Sequence, residues 1–309
     1  MVSMMSDVME IVNCNICGSS DSRLYLNMDG YSYRKCRNCG LVYQNPRPDF
    51  THLKNIYNGD YFNYEFKNQH NFFNLMLLGL RDIGFDRIFP TPKGKRFLDI
   101  GCATGLLLKH MKESGWCEQG VEICRESAEY GIRNYGVNIF IGTLEEARFP
   151  GDFFDVVHFS HLIEHVPDPK GLLSEVFRIV KPNGHVIITT PNVGGLQARI
   201  SGKGWRSAIP EHIYLFSKST LRLLLELTGF NIVKQVSWGG IPLGKRPNFI
   251  KRPADKLAKF FNVGDVMLFH CVPNKNVLLK THFEGKNDNR KVYPDNYNNT
   301  GSEYSRKIS

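Results

Sequence analysis

Apolar and polar residues recur along residues 96–272 with two periods, which predict a regular alternation of strands and helices. Short, mostly apolar runs typical of buried strands cover 96–100, 117–122, 137–141, 154–160, 184–190, 231–237 and 265–272. Helical spacing of apolar residues lies between these runs at 104–114, 124–134, 170–180 and 217–228. Because apolar strands that alternate with helices indicate a parallel sheet covered on both faces, we predict an α/β fold with a doubly wound, mostly parallel sheet.

The chain before the first predicted strand shows a different pattern. Large apolar residues recur at near-helical spacing: Phe62, Phe66, Phe72, Phe73, Leu77 and Leu80. Residues 46–92 are therefore predicted to form a helical linker or cap, preceded by a small module of residues 1–45 and followed by an α/β domain of residues 93–273. Residues 274–309 are polar and rich in asparagine, and we predict a mostly disordered tail.

Composition narrows the class of protein without naming a function. The 309 residues are 42% hydrophobic, as in ordinary globular proteins, and no apolar run reaches the length of a membrane span. The first residues carry neither a basic leader nor an apolar core, so we expect a cytoplasmic protein. The net charge of +9 is spread along the chain, which allows anionic partners but does not require them.

Four of the eight cysteines form two closely spaced pairs, C-x2-C-x18-C-x2-C, at Cys14, Cys17, Cys36 and Cys39. Each C-x-x-C places two thiolates on one side of a metal, and glycine follows each pair, which suits a knuckle turn. We therefore predict that residues 1–45 form a zinc ribbon. Four sulfur ligands leave no open position for a substrate, so the predicted Zn²⁺ is structural.

The first strand of the α/β domain runs into a glycine-containing turn, LDIGCATG, at residues 98–105. Ligands of open α/β sheets bind where strands end, so this turn is the first candidate site. Its spacing fails the G-x-G-x-x-G pattern of dinucleotide-binding folds, and Asp99 would repel a pyrophosphate. An acid here suits a cationic ligand instead, such as S-adenosyl-L-methionine. Glu122 ends the next strand, where an acid can accept hydrogen bonds from ribose hydroxyls.

Four motifs in order, LDIGCATG, GVEI, FDVVHFSHLIEHVPDP and VKPNGHVIITTPN, resemble those of class I S-adenosylmethionine-dependent methyltransferases. The cysteine module and the segment EHIYLFSKSTLRLLLELTGF at 211–230 resemble a bacterial branch with a zinc-binding leader, related to the ubiquinone-type O-methyltransferases. The resemblance implies a Rossmann-like methyltransferase fold, in which a seven-stranded sheet has its last strand inserted antiparallel.

The resemblance also implies where the cofactor binds. The residues that it places around the cofactor are Asp99, Gly101, Ala103, Gly105, Glu122, Ile123, Thr143, Leu144 and Ser160. Gly101 and Gly105 would let the backbone approach the methionyl part, which Asp99 orients, and Glu122 would hold the ribose. Thr143 and Leu144 would lie near the adenine. Ala103 stands where the family usually has a glycine.

Methyl transfer from a sulfonium needs alignment above all, and a hydroxyl or acidic-carbon acceptor also needs a base. The candidate bases are His161, Glu164, His165 and His212, and His165 has an alternative role in ordering its loop. Related ubiquinone-type enzymes carry Glu-x-x-Glu-His, associated with a divalent cation. This chain has His161-x-x-Glu164-His165, and imidazole in place of carboxylate weakens the case for magnesium.

The acceptor class is left open by the residues. We expect a small molecule, such as a sugar, a quinone precursor or a natural-product intermediate, under a lid formed by residues 191–216. In that segment Arg199, Lys203 and Arg206 would either meet an anionic group of the acceptor or face solvent. The alternative is an RNA-directed methyltransferase or a zinc-ribbon nucleic-acid-binding protein, although SHLI stands where enzymes that methylate base amines carry N-P-P-[YF]. The sequence does not determine the oligomeric state.

Overall fold

The computed structural model describes residues 9–49, 59–239 and 261–275. The predicted tail, residues 274–309, lies outside the described residues apart from Asn274 and Lys275. No helix in the described ranges is long and apolar enough to cross a bilayer.

The predicted strands and helices of the α/β domain are present with small shifts of their ends. The strands are β1 (Met9–Glu10), β2 (Ser22–Met28), β3 (Tyr31–Cys36), β4 (Val42–Gln44), β5 (Arg47–Pro48), β6 (Arg96–Ile100), β7 (Cys117–Glu122), β8 (Ile139–Ile141), β9 (Phe154–Ser160), β10 (Val180–Pro191), β11 (Tyr214–Leu215), β12 (Phe230–Trp238) and β13 (Val266–Pro273). The helices are α1 (Gly59–Ile83), α2 (Phe85–Ile88), α3 (Leu106–Glu113), α4 (Arg125–Tyr135), α5 (Leu144–Ala147), α6 (Pro169–Ile179), α7 (Leu196–Ser201) and α8 (Lys218–Leu227).

The main sheet has seven strands in the order β12-β13-β10-β9-β6-β7-β8. Strand β13 pairs antiparallel with both β10 and β12, while the pairs from β10 to β8 are parallel. This arrangement confirms the predicted doubly wound, seven-stranded, mostly parallel sheet. Its central strands are buried on both faces because helices cover them, which explains their continuous apolar runs.

The strand order reverses between β6 and β9, because the chain continues from β6 to β7 on one side and returns to β9 on the other. A crevice therefore opens at the carboxyl ends of these two strands. The register of the pair places Asp99 directly opposite His158.

Helix α1 confirms that the aromatic-rich segment before the α/β domain is helical. It packs against α3, α4 and β12. Gly79 allows this close approach, since a Cβ atom there would lie 2.7 Å from Leu268 Cδ1. The indole of Trp238 donates a hydrogen bond of 2.6 Å to Asp82 near the end of α1. The first half of α1 is thereby directed toward the crevice.

The N-terminal cysteine module shares a sheet with the α/β domain. Strands β2, β3 and β4 form an antiparallel meander, and β11 joins its edge to give the order β11-β4-β3-β2. Strand β11 lies about 170 residues after β4 in the chain, and the sequence analysis did not predict this pairing. The predicted boundary at residue 45 stays a prediction.

The segment 191–216 does not form the expected lid. None of its residues lines the described cavity at the crevice. Its apolar side chains, among them Trp205 and Leu215, instead pack on Tyr33 and Val42 of the cysteine module. The guanidinium of Arg206 is paired with Asp265 at 2.8 Å. The physical reason is the burial of this apolar surface, which holds the segment against the module.

Candidate active site

A cavity of about 560 Å³ lies at the carboxyl ends of β6, β7, β8 and β9. Ten of the residues predicted for the site line it: Asp99, Gly101, Ala103, Glu122, Ile123, Thr143, Leu144, Ser160, His161 and His165. Gly105 and His212 are outside the lining. The structure thus brings most of the predicted site together in one crevice.

The turn between β6 and α3 contains three residues in the left-handed region of backbone conformation. Gly101, Ala103 and Gly105 have φ values of +70°, +48° and +73°. A Cβ atom on Gly105 would lie 3.0 Å from Val137 Cγ2, so this glycine serves the packing of the turn against the strand layer. Ala103 holds a conformation that disfavours side chains, which shows that its surroundings fix the turn.

The carboxylate of Glu122 fixes that turn. Its Oε2 accepts a hydrogen bond of 2.8 Å from the backbone N–H of Ala103, and its Oε1 accepts one of 2.8 Å from Cys124. Burial raises the pKa of Glu122, while these backbone donors favour the charged form. Since each carboxylate oxygen has two lone pairs, both oxygens retain acceptor capacity toward the cavity.

Asp99 has a partner that the sequence reading missed. His158 Nδ1 lies 2.7 Å from Asp99 Oδ1, and both side chains are buried. The histidine orients the acid from the neighbouring strand. Only the register between β6 and β9 relates the two residues, and the sequence does not specify which strands are neighbours.

The turn after β8 is organised by a capping box. Thr143 accepts a hydrogen bond from the backbone of Glu146, and the Glu146 carboxylate accepts one of 2.8 Å from the Thr143 backbone. The Thr143 hydroxyl is therefore engaged by the start of α5, while Leu144 is buried at the cavity wall. This T-x-x-E pattern was present in the sequence and would have predicted the helix start.

Glu164 lies beneath the three candidate histidines, with 1% of its side chain exposed. Its Oε2 accepts a hydrogen bond of 2.9 Å from Thr190 Oγ1. His161 Nδ1 lies 3.3 Å from Oε1, but the atoms are not aligned for a hydrogen bond, and Oε1 has no other partner among the described residues. An unsatisfied buried acceptor costs about 1–3 kcal/mol, so this oxygen has a strong tendency to engage a donor or a cation.

The three candidate histidines differ in their surroundings. His161 lines the cavity, its side chain is 31% exposed, and its φ of +54° is unusual for a residue with a side chain. His165 Nδ1 donates to the Glu211 carbonyl at 2.9 Å, and His212 Nδ1 donates to the Ser207 carbonyl at 2.8 Å. The rings of His165 and His212 meet edge to face with centroids 4.6 Å apart.

Burial and charge separate the protonation states of this cluster. Burial opposes ionisation of Glu164, but the His161 imidazole and the positive potential of His161, His165 and His212 lower its pKa to about 2. Burial lowers the pKa of His165 to about 4, and burial also lowers the pKa of His212. Near neutral pH the cluster is therefore a buried carboxylate beside two neutral imidazoles.

Among the lining residues of helix α1, two polar ones were not selected by sequence analysis, Tyr61 and Glu65. Burial and the nearby Glu122 carboxylate raise the pKa of Glu65 to about 7, against the opposing effects of His161 and of a hydrogen bond from Tyr61. The cavity wall carries six carboxyl groups, those of Glu65, Asp99, Glu122, Glu145, Glu146 and Asp168. Neither lysine nor arginine occurs among the lining residues that the structure describes. The cavity is acidic within a basic chain.

The four N-terminal cysteines converge as predicted. All four sulfur atoms lie within 4.8 Å of one another, with Cys14 and Cys39 at 3.3 Å and Cys17 and Cys36 at 3.5 Å. All are free thiols, so no disulfide competes for them. The donor set and its compactness fit a tetrahedral zinc site.

A sequence profile described as a methyltransferase domain matches residues 79–235. A ubiquinone biosynthesis O-methyltransferase of Ralstonia nicotianae is 36% identical over 105 residues, which are 31% of this chain and 43% of the relative. The corresponding Klebsiella pneumoniae enzyme is 33% identical over 126 residues, 38% of this chain and 48% of the relative. The matched region thus spans less than half the length of these relatives.

Among solved structures, a SAM-dependent methyltransferase from Archaeoglobus fulgidus is 25% identical, covers 64% of this chain and 93% of its own, and has a TM-score of 0.48. The matched residues run from the end of α1 into β12 and include the turn after β6 and the acidic end of β7 described above. Because the profile spans half of the chain, the chain belongs to the methyltransferase domain family.

Proposed function

We propose that the protein transfers the methyl group of S-adenosylmethionine to a hydroxyl of a small, non-anionic acceptor, with His161 as general base. The acidic cavity at the switch point of the sheet carries this proposal. When bound, the cofactor supplies a methyl group already activated by the positive sulfonium. The protein then has to bind and align the cofactor and the acceptor, exclude water from the site and accept the proton of the acceptor hydroxyl.

The residues fit a cationic, adenosine-bearing cofactor. Glu122 keeps lone pairs for two ribose hydroxyls while its backbone contacts hold the turn in place. Asp99, oriented by His158, presents a carboxylate where the cofactor's positive groups would lie. Gly101 presents backbone at the cavity wall, since a Cβ atom there would lie 3.2 Å from Leu162 Cδ1.

His161 is the best placed of the candidate bases, because it lines the cavity and Glu164 does not. When ligand binding brings the Nδ1–H of His161 into line with the Glu164 carboxylate, Nε2 can accept the hydroxyl proton of the acceptor, and Glu164 then stabilises the imidazolium. The 3.3 Å separation is longer than a good hydrogen bond, which is common before a ligand tightens such a contact. His165 and His212 are held by backbone carbonyls and support the cluster from behind.

The charge of the cavity supports a neutral or cationic acceptor rather than a phosphate or carboxylate. The lining has no lysine or arginine in the described residues, and Arg206 is already paired with Asp265. The same argument disfavours RNA, whose binding depends on cationic contacts to phosphate. Phenolic quinone precursors are the first acceptors to test, because the relatives named above are ubiquinone biosynthesis O-methyltransferases.

We assign the four-cysteine cluster a structural Zn²⁺. The compact sulfur cluster supports this, and elemental analysis of purified protein should find about one zinc per chain, falling when Cys36 is replaced by serine. Free thiolates also require a reducing compartment, and the cytoplasmic location stays a prediction from the sequence.

A calorimetric titration with S-adenosylhomocysteine tests the cofactor, and mass spectrometry of an acceptor panel tests for a gain of one methyl group. His161→Asn should retain S-adenosylhomocysteine affinity and lose about 100-fold or more in turnover. The matched control is His70→Asn, an exposed histidine of α1. Unchanged turnover in His161→Asn would remove the base assignment, whereas failure of wild-type protein to bind S-adenosylhomocysteine would remove the proposed function.

One observation favours a second arrangement, a catalytic metal. Ligand atoms of Glu164, His165 and His212 all lie within 4.8 Å of one another, and Glu164 Oε1 is the unsatisfied buried oxygen described above. Both histidines donate Nδ1–H to carbonyl oxygens, which leaves Nε2 as a metal ligand. Two nitrogens and one oxygen suit zinc or another first-row transition metal better than magnesium, and such an ion would polarise an acceptor oxygen. A second metal equivalent that survives Cys36→Ser would favour this arrangement.

A further inference from the structure

The cysteine module (residues 9–49) holds the segment that carries His212. Tyr33, fully buried on β3, places its hydroxyl 2.8 Å from the carbonyl oxygens of both Ile209 and His212. A single hydroxyl proton serves one of these acceptors at a time, so the two carbonyls are gathered around one donor.

Gln44 on β4 adds a second buried donor to the same segment. Its side-chain amide donates a hydrogen bond of 2.7 Å to the Pro210 carbonyl, and its backbone N–H donates one of 2.9 Å to the Ile213 carbonyl. Strand β4 then pairs with β11, with Tyr214 opposite Tyr43. The module thus donates hydrogen bonds to carbonyls of four of the five residues 209–213, all except Glu211.

The opposite side of this segment faces the histidine cluster. The Glu211 carbonyl accepts the Nδ1–H of His165, and the backbone N–H of Tyr214 donates 3.1 Å to the Glu164 carbonyl. His212 packs edge to face on His165. The segment is therefore a bridge of about five residues between the module and the buried carboxylate.

The first zinc knuckle reaches the cavity wall by a separate route. Asn15 lies between Cys14 and Cys17. Its side chain donates a hydrogen bond of 2.9 Å to Asp168 Oδ1 and accepts one of 3.1 Å from the backbone N–H of Lys170. Asp168 lines the cavity and caps α6. Two walls of the site therefore rest on elements that the four cysteines hold in place.

We propose that the cysteine module is a positioning element of the active site, in which Tyr33 and Gln44 fix the tautomers and orientation of His165 and His212. The inference rests on the proposed function for its catalytic consequence, but its structural claim has an independent readout. Loss of the Tyr33 hydroxyl would free the Ile209 and His212 carbonyls and let the bridge relax. The Nδ1–H bond to Glu211 would then no longer select one tautomer of His165.

The test compares Tyr33→Phe, which keeps the ring, with the matched control Tyr25→Phe on the outer strand β2. Nitrogen-15 spectra of the histidine side chains, assigned with His165→Asn and His212→Asn, report the tautomers. Zinc content and S-adenosylhomocysteine affinity are measured on each variant. We expect Tyr33→Phe to keep zinc and cofactor affinity, to replace the single Nδ1–H tautomer of His165 by an averaged pattern, and to lower turnover about 5- to 20-fold. Tyr25→Phe should match wild type.

Zinc removal by a chelator from the full chain should produce the same averaged histidine pattern if the protein stays folded. If it unfolds instead, the Tyr33→Phe spectra decide alone. Wild-type histidine spectra in Tyr33→Phe would overturn the inference, whatever the stability of the variant. That result differs from failure of the proposed function, which would appear as absent S-adenosylhomocysteine binding in wild-type protein.

Discussion

Replacing Glu122 by glutamine tests the residue that holds the turn and that we propose binds the cofactor ribose. The change keeps the size and one oxygen acceptor of the side chain. It replaces the other oxygen by an amide nitrogen that faces a backbone N–H, either that of Ala103 or that of Cys124, each of which now donates over 2.8 Å. One of the two hydrogen bonds is therefore replaced by a repulsive contact between two N–H donors.

The size of the effect follows from two opposing contributions. A hydrogen bond to a charged group is worth about 1.5–3 kcal/mol, so losing one lowers the free energy of unfolding by about that amount. Glutamine also avoids the burial of a charge that raises the pKa of Glu122, which offsets part of the loss. We expect a net loss of about 1–2 kcal/mol in stability. Loss of charged acceptors for the ribose should weaken binding about 10- to 100-fold, equivalent to roughly 1.4–2.8 kcal/mol.

Calorimetry with S-adenosylhomocysteine and urea denaturation separate these two effects. The matched control is Glu118→Gln, a buried acid at the start of the same strand that accepts hydrogen bonds from Asn138 and does not line the cavity. Glu118→Gln should lose stability while binding S-adenosylhomocysteine as wild type does. Equal affinities in Glu122→Gln and wild type would refute the ribose assignment, and equal weakening in both variants would show that binding follows stability alone.

Two further predictions concern pH. Because burial lowers the pKa of His165 from 6.5 to about 4, unfolding takes up a proton between these values. The stabilising contribution of neutral His165 is complete above pH 6.5 and is lost as the pH falls through 4. The urea midpoint should therefore fall with decreasing pH over this range, and His165→Asn should reduce that slope. An unchanged slope in the variant would contradict the burial argument. Glu65 has a pKa raised to about 7, so its charge appears as the pH rises from 6 to 8. The preference for cationic S-adenosylmethionine over neutral S-adenosylhomocysteine should grow across that range in calorimetry, and Glu65→Gln should abolish the growth; a pH-independent preference in wild type would exclude Glu65 from the cation site.

The central sheet was predictable because its strands obey one local rule. A strand covered by helices on both faces needs an unbroken apolar run, as in Phe154–Ser160, and the helices between strands show amphipathic spacing. These are properties of neighbouring residues. The pairing of β11 with β4 depends instead on residues far apart in the chain, so no local pattern could have placed segment 191–216 against the cysteine module rather than over the cavity.

The same division holds at the site. The turn at Gly101 to Gly105 and the acid at Glu122 stand out locally, because a strand end, glycines and an acid occur within a few residues. His158 contacts Asp99 from a neighbouring strand, Glu65 reaches the cavity from the crossing helix α1, and the sequence neighbourhoods of both are ordinary. Gly105 shows the converse limit, since its pattern suggested a ligand contact whereas its contacts are those of packing against Val137.

The arrangement of charge explains why one crevice can discriminate between cofactors that share an adenosine. Two charges 4 Å apart interact by about 1 kcal/mol in water and by several times that near a protein surface. Asp99 and Glu122 are buried at the cavity floor, and each is oriented by fixed donors, so neither can turn away from a ligand. A pyrophosphate would bring two negative charges to these fixed carboxylates, whereas a sulfonium and an ammonium would gain attraction from the same geometry. The proposed preference for the methyl donor therefore needs no acceptor in the cavity, because the carboxylates are positioned by the fold and not by the ligand.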